Sequence, residues 1–280
     1  MIVDTHVHIW QVPPVAPVGP TAPSFTSRPS GAATAEELLA DMDAHGVDWA
    51  VIVQSSFSTW DNGYIADSAA LHPRRLIAHG LVDPEDPGNA NQARHWMTER
   101  GVRGFRFHPV YYDDAVLTRP SNARLWETLE ELGAVVQVHM RALHAPQLDE
   151  IAVRHPNIPF LIDHMGYPDF AESPRFSSFR PILDLAKHPN VHVKISDTAR
   201  HSKGEFPYPD VQAAIRLLND AFGIERMLWG TGYPGRHRLA YGWPSLADEL
   251  RFVREGLDWL SATDREQLLG GNAATIWKLN

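Results

Sequence analysis

The feature that most constrains this chain is an alternation. Short runs of β-branched, aromatic and other apolar residues recur at 2–3, 50–53, 76–78, 104–107, 135–138, 160–162, 191–195 and 227–229. Segments with helical spacing separate them. Strands alternating with helices predict βαβ units and a parallel sheet. Eight such units in 280 residues favour one closed (β/α)8 TIM barrel of the α/β class over an open sheet. No glycine-rich phosphate turn argues for the open alternative.

The helices carry their own start and stop signals. Thr34-Ala35-Glu36-Glu37 reads as a capping box, with Leu38 and Met42 on one face and Gly46 past the end. Pro120 opens a helix with Leu125, Leu129 and Leu132 as its stripe and Gly133 as its stop. Residues 209–222 follow the same logic, ending before Gly223, and Pro244 opens another helix through Leu246, Leu250 and Val253. Thr263-Asp264-Arg265-Glu266 reads as a second capping box, with Gly270-Gly271 ending that last helix.

One stretch breaks the rhythm. Residues 11–33 hold six prolines among Gly, Ala, Ser and Thr, which excludes a regular helix or central strand. Following the first strand, the stretch would lie over the barrel mouth as a surface excursion, a lid or a subunit contact.

Composition excludes several classes. There are no cysteines, so thiolate metal sites and disulfides are out. A net charge of −9 argues against a nucleic-acid surface. No apolar run approaches the ~20 residues of a membrane span. Met1-Ile2-Val3-Asp4 lacks the pattern of a secretion signal, so a cytoplasmic location is expected.

Fifteen histidines matter only if some converge. His72, His155 and His188 each precede a proline at a helix end, where a cation suits the helix dipole; they belong to the far end of the barrel. His6 and His8 differ. They stand two apart at the end of the first strand, on one face, with Asp4 in line beneath. His108, His139 and His164 end strands 4, 5 and 6. Active sites of such barrels lie at the C-terminal strand ends, so five histidines on four strand ends predict a metal or catalytic centre rather than a structural polar cluster.

These residues resemble the metal-dependent amidohydrolase superfamily, in its branch of lactonases and non-oxidative decarboxylases. The likeness rests on Val3-Asp4-Thr5-His6-Val7-His8, Phe105-Arg106-Phe107-His108-Pro109, Val138-His139, Ile162-Asp163-His164-Met165-Gly166, Leu228-Trp229-Gly230-Thr231-Gly232-Tyr233-Pro234 and Gly271-Asn272-Ala273. It implies that His6, His8 and His139 bind a divalent ion, commonly zinc, and that His164 hydrogen-bonds the bound water or the substrate carbonyl. Operation without a metal is the alternative. The resemblance also implies a strand-8 aspartate as ligand and base, and here the chain departs from it: that position is Gly232. Three readings stay open. The chain is an inactivated variant; it is a natural member working with three histidines or no metal; or a substitute carboxylate such as Asp197 serves.

Cations gather after the strands: Arg106 and His108, Arg141, then Lys194, Arg200, His201 and Lys203, then Arg236, His237 and Arg238, with Tyr111 and Tyr112 close by. Arg106, His108, Tyr111, Arg141, Lys194 and Arg236 are the candidate substrate contacts, whereas Lys203 and Arg238 read as solvated loop residues. Guanidinium groups at a site mouth suit carboxylate binding. The expected substrate is a small carboxylate-bearing or sugar-derived molecule, with no nucleic acid or membrane partner; a homo-oligomer is compatible with the sequence. The expected reaction is opening of a lactone or similar cyclic ester. The alternatives are non-oxidative decarboxylation of an aromatic or unsaturated acid, and a silent binding protein.

Overall fold

A computed structural model describes residues 1–12, 18–22, 31–58, 60–240 and 242–280, with the backbone alone at 199 and 235–237. Eight parallel strands follow one another in spatial order, each paired to the next. They are β1 (Val3–Val7), β2 (Trp49–Val53), β3 (Leu76–Gly80), β4 (Gly104–Phe107), β5 (Val135–Val138), β6 (Phe160–Ile162), β7 (Val191–Ser196) and β8 (Met227–Gly230). The seam between β8 and β1 is closed by Gly232 N–H to the His6 carbonyl (2.7 Å) and His8 N–H to the Tyr233 carbonyl (2.8 Å). Buried Asp4 clasps the same seam, accepting from the Thr231 hydroxyl (2.5 Å), the Thr231 N–H (3.0 Å) and the His6 N–H (3.1 Å). The fold is a single (β/α)8 TIM barrel, as the alternation predicts.

The shell bears out part of the helix reading and corrects part. Helix α1 (Ala35–His45) starts at the Thr34 capping box and ends at Gly46 with φ 70°. The helix over Pro209–Phe222 has the expected bounds. Pro120 begins a 3-10 turn that leads into a helix over Ala123–Glu131. The helix expected from Pro244 is capped by Ser245, whose hydroxyl pairs with Asp248 N–H, and spans Leu246–Arg251. The last capping box is Ser261 with Asp264, two residues before the predicted one. Gly270-Gly271 does not stop the chain, which continues as a helix over Asn272–Trp277. Gly270 is needed for another reason: a Cβ there would lie 2.4 Å from the Met1 carbonyl oxygen. His72 and His155 cap helix ends, as expected.

The barrel interior has two unlike halves. At the bottom Val3, Val51, Val53, Ile77, Val135, Leu161 and Leu228 form an apolar layer, plugged by Trp277 and Ala273. Above it the inward positions are polar. In β1 the register shifts between Asp4 and Val7, so Val3 joins the apolar layer while His6, three residues on, also points inward. A bulge re-aims side chains in this way. Asp4 is therefore a clasp on β8, not a residue in line beneath the histidines.

Of the Pro-rich stretch, 13–17 and 23–30 lie outside the described residues. Val18 is buried, its N–H bonded to the Ser56 carbonyl. Gly19 packs against Tyr111, where a Cβ would come within 2.7 Å. Val18 thereby lines a small recess with Arg106 and His108.

Candidate active site

The strand ends converge on a buried ion triad. Asp163, directly after β6, is fully buried between two cations. Arg106 Nε donates to its Oδ2 at 2.6 Å, and Lys194 Nζ lies 3.0 Å from its Oδ1. Burial alone would raise the Asp163 carboxyl, but Lys194 and Arg106 outweigh it and hold it well below the usual range. Burial pushes Lys194 down to about 8. Its ammonium also donates to Gln137 Oε1 (2.7 Å) and His6 Nδ1 (2.9 Å). Gln137 continues to His79 Nδ1 (2.9 Å), and Trp277 Nε1 donates to His79 Nε2 (3.0 Å). Room for His79 comes from Gly104, whose Cβ would sit 2.7 Å from its ring.

The predicted histidines are brought together above the triad. His6 Nε2 and His8 Nε2 are 3.3 Å apart, and His8 Nδ1 donates to the Val53 carbonyl at 2.7 Å. His164 packs on His6, with centroids 4.6 Å apart, and its Nε2 lies 3.3 Å from Arg106 Nη2. Ser196 holds His164 Nδ1 at 3.0 Å. His139 stands edge-on to His108 (5.3 Å) and Tyr111 (5.4 Å), and His108 stacks on Tyr111. Buried His108 Nε2 and His139 Nδ1 have no protein partner among the described residues. Burial pushes His8 down to about 3 and His164 to about 4, and holds His6, His108 and His139 well below the usual imidazole range. The rings are neutral at physiological pH.

His164 has φ 51° and Asp197, just after β7, has φ 56°. Such conformations cost non-glycine residues energy and cluster at functional sites. Both line a cavity of about 160 Å³ at the mouth, with Ser196, Tyr167, His201 and Lys203.

Other predicted residues fall elsewhere. Arg141 is exposed, its backbone N–H bonded to His144. The side chains of Arg236 and His237 lie outside the described residues. Lys194 is buried beneath His6 rather than at the mouth. Arg238, expected to be solvated, is 2% exposed and bonds Glu249 at 2.5 Å. A cation this deep needs its anion, and Glu249 comes from the helix over Leu246–Arg251. Asp163, Gln137, His79 and Ser196 were not singled out from the sequence. Inward parity on β3, β5 and β7 is the signal that would have found the last three.

Among the described residues, His6, Asp163 and His164 offer atoms close enough together to hold a metal ion. Their partners decide whether they fit one. His8 fits, since its Nδ1–H is spent on the Val53 carbonyl and its Nε2 carries no proton, as in metal-bound histidines. His6 does not, because its Nδ1 accepts from the Lys194 ammonium and its proton must sit on Nε2, facing His8. Asp163 is shared by two cations already. A dication would add to the positive charge of Arg106 and Lys194, and Gly232 has no side chain to ligate it. As arranged, the cluster fits a hydrogen-bonded triad rather than a divalent ion.

The match to known proteins follows the whole barrel. Residues 3–279 match the amidohydrolase family. The chain belongs to that family. It is 28% identical over 293 residues to an L-fucono-1,5-lactonase of Burkholderia ambifaria, covering 99% of this chain and 96% of that one. It is 27% identical over 237 residues to a 4-sulfomuconolactone hydrolase of Hydrogenophaga intermedia, covering 82% and 74%. Among solved structures, a probable 2-pyrone-4,6-dicarboxylic acid hydrolase of Acinetobacter baumannii with bound citric acid superposes with a TM-score of 0.81 (19% identity, 99% of each chain). A zinc-bound amidohydrolase of Burkholderia multivorans gives 0.77 (21%, 100% of each). A 5-carboxyvanillate decarboxylase of Sphingomonas paucimobilis gives 0.65 (18%, 87% and 83%). At these identities the structural likenesses carry the fold. No described helix is long and apolar enough to cross a membrane.

Proposed function

We propose that this chain is a cytoplasmic lactone hydrolase acting on a small sugar-derived or carboxylate-bearing lactone. One observation carries the reading: the two curated relatives named above both open lactones, one of them aligned over 99% of this chain. The site suits that chemistry. Arg106 stands at the strand ends with its Nη2 3.3 Å from His164 Nε2, where the guanidinium, oriented by neutral His164, can stabilise the oxyanion that forms when water attacks the carbonyl. His108 Nε2 and His139 Nδ1, without protein partners among the described residues, are open to hydrogen-bond the substrate. In this reading His6 and His8 serve as hydrogen-bonding walls of the pocket, and the side chains do the work without a metal ion.

The test is acid release from a panel of aldono- and muconolactones, followed with a pH indicator, before and after exhaustive chelation. The expected result is stoichiometric ring opening that survives chelation. Carbon dioxide release from aromatic acids, with no lactone opened, would replace this reading by decarboxylation. Loss of turnover on chelation and its return with zinc would overturn the metal-free part alone.

A further inference from the structure

We propose that Asp197, on the turn after β7, supplies the carboxylate that Gly232 leaves out and takes the proton from the attacking water. This rests on the hydrolytic reading above. The geometry is direct. A Cβ built on Gly232 would lie 3.7 Å from both Cγ and Oδ1 of Asp197, and 3.5 Å from Arg238 Nη1. The space into which a side chain at 232 would extend is thus bordered by a carboxylate from the neighbouring strand. That carboxylate is buried, and it opens on the same cavity as His164 and Ser196. Its backbone is held at a positive φ, which a non-glycine residue adopts only where its surroundings impose it.

The groups facing Asp197 come from three elements. On its own turn, Arg200 Nη1 lies 2.9 Å and His201 Nε2 3.5 Å from Oδ2. After β8, Arg238 Nη1 lies 3.9 Å from Oδ1, while its Nη2 is bound by Glu249. Across the cavity stands His164. Burial alone would raise the Asp197 carboxyl, but His201, His164 and the two arginines outweigh it and lower it. It is therefore ionised at neutral pH and in the proton-accepting form. The same cations make it a weak base, suited to a proton held only briefly. The step balances. Water oxygen bonds to the lactone carbonyl carbon and its proton passes to Asp197. The adduct collapses, the ring C–O bond breaks, and the proton passes from Asp197 to the departing ring oxygen, giving a hydroxy acid.

The experiment compares the parent chain, Asp197→Asn, Gly232→Asp and the double variant on an opened lactone. Asp197→Asn is expected to lower kcat/KM at least a hundredfold. Gly232→Asp alone lowers it as well, because two carboxylates then share one pocket. Adding Gly232→Asp to Asp197→Asn regains at least tenfold, a rescue that a merely structural Asp197 would not allow. Activity of Asp197→Asn within fivefold of the parent overturns the proposal, as does a tenfold gain from Gly232→Asp alone.

If the parent opens no lactone, the hydrolytic reading has failed, and a second measurement decides the placement. Two carboxylates in one site force one pKa up. A folded pKa above the unfolded value means stability is lost as pH rises through it. The melting temperature of Gly232→Asp should therefore fall relative to the parent by several degrees from pH 5 to pH 8, and the fall should vanish in the double variant. Parallel curves would show that Asp197 does not occupy the place of the missing residue.

Discussion

Leu161, on β6, and Asp163, directly after it, stand two residues apart and share one inward parity, yet different physics holds them. Leu161 belongs to the apolar floor with Val51, Ile77 and Trp277. Non-directional packing fixes it, and any shape of the right volume would do. Asp163 belongs to the polar half, between Arg106 and Lys194. There each partner must be in place, because an unpaired buried charge costs several kcal/mol. One strand thus passes from a layer that only needs filling to a layer that must be satisfied atom by atom. The fold is made by the first and the chemistry by the second.

The largest expected effect tests the ionisable half as a whole. His6, His79, His108 and His164 are buried and His8 and His139 half-buried, all with pKa values pushed below the free value. Unfolded histidine titrates near 6.5, so the unfolded chain takes up protons that the folded chain refuses. Stability is present above that pH and lost as pH falls toward the folded values, by up to about 1.4 kcal/mol per pH unit for each ring. Two acids oppose this: burial raises Asp4 to about 6 and Glu249 to about 7, so their share of stability grows as pH falls toward 4. Six rings against two acids predict net loss. Urea midpoints measured from pH 7 to pH 4.5 should drop steeply, and a flat profile would break the division between the halves.

Next in size are the two single changes on and just after β6. Asp163→Asn leaves Arg106 and Lys194 without their anion and is expected to cost about 3–5 kcal/mol, with turnover lost. Leu161→Ala opens a cavity in the floor and is expected to cost about 2–4 kcal/mol, with kcat/KM per folded molecule within about threefold of the parent. Urea unfolding and kinetics on the same preparations check both. Equal losses of turnover would show that the halves are not separable.

The same division explains what the sequence could convey. The strands and the α1 cap were legible because they depend on local pattern: β-branched runs, and Thr34 three residues before Glu37. His6 and His8 were legible because strand-end histidines at i and i+2 have few other reasons to exist. The bulge in β1 was not, since register depends on the pairing partner. It moved Asp4 from the site to the β8 seam. Asp163, Gln137 and His79 were missed because their partners come from strands far along the chain: inward parity marks their positions but not what they bind. Arg238 was misread for the same reason: its anion, Glu249, sits on another helix. Gly232 was legible as an absence, and only the three-dimensional neighbourhood shows Asp197 beside it.

The smallest expected effect lies on the seam between the halves. Trp277 fills the apolar floor and also donates its indole N–H upward to His79, which leads through Gln137 to Lys194. Trp277→Phe keeps most of the ring packing against His79 and removes only the donor. Leaving a buried imidazole nitrogen unpaired costs about 1–2 kcal/mol. If the halves are physically distinct, that loss ends at His79, and kcat/KM should hold within about twofold. A double-mutant cycle with Lys194→Met measures this, with coupling expected below about 0.5 kcal/mol. Coupling above about 1.5 kcal/mol would mean that the floor reaches the catalytic layer through this chain of hydrogen bonds, and that packing and chemistry in this barrel are one system.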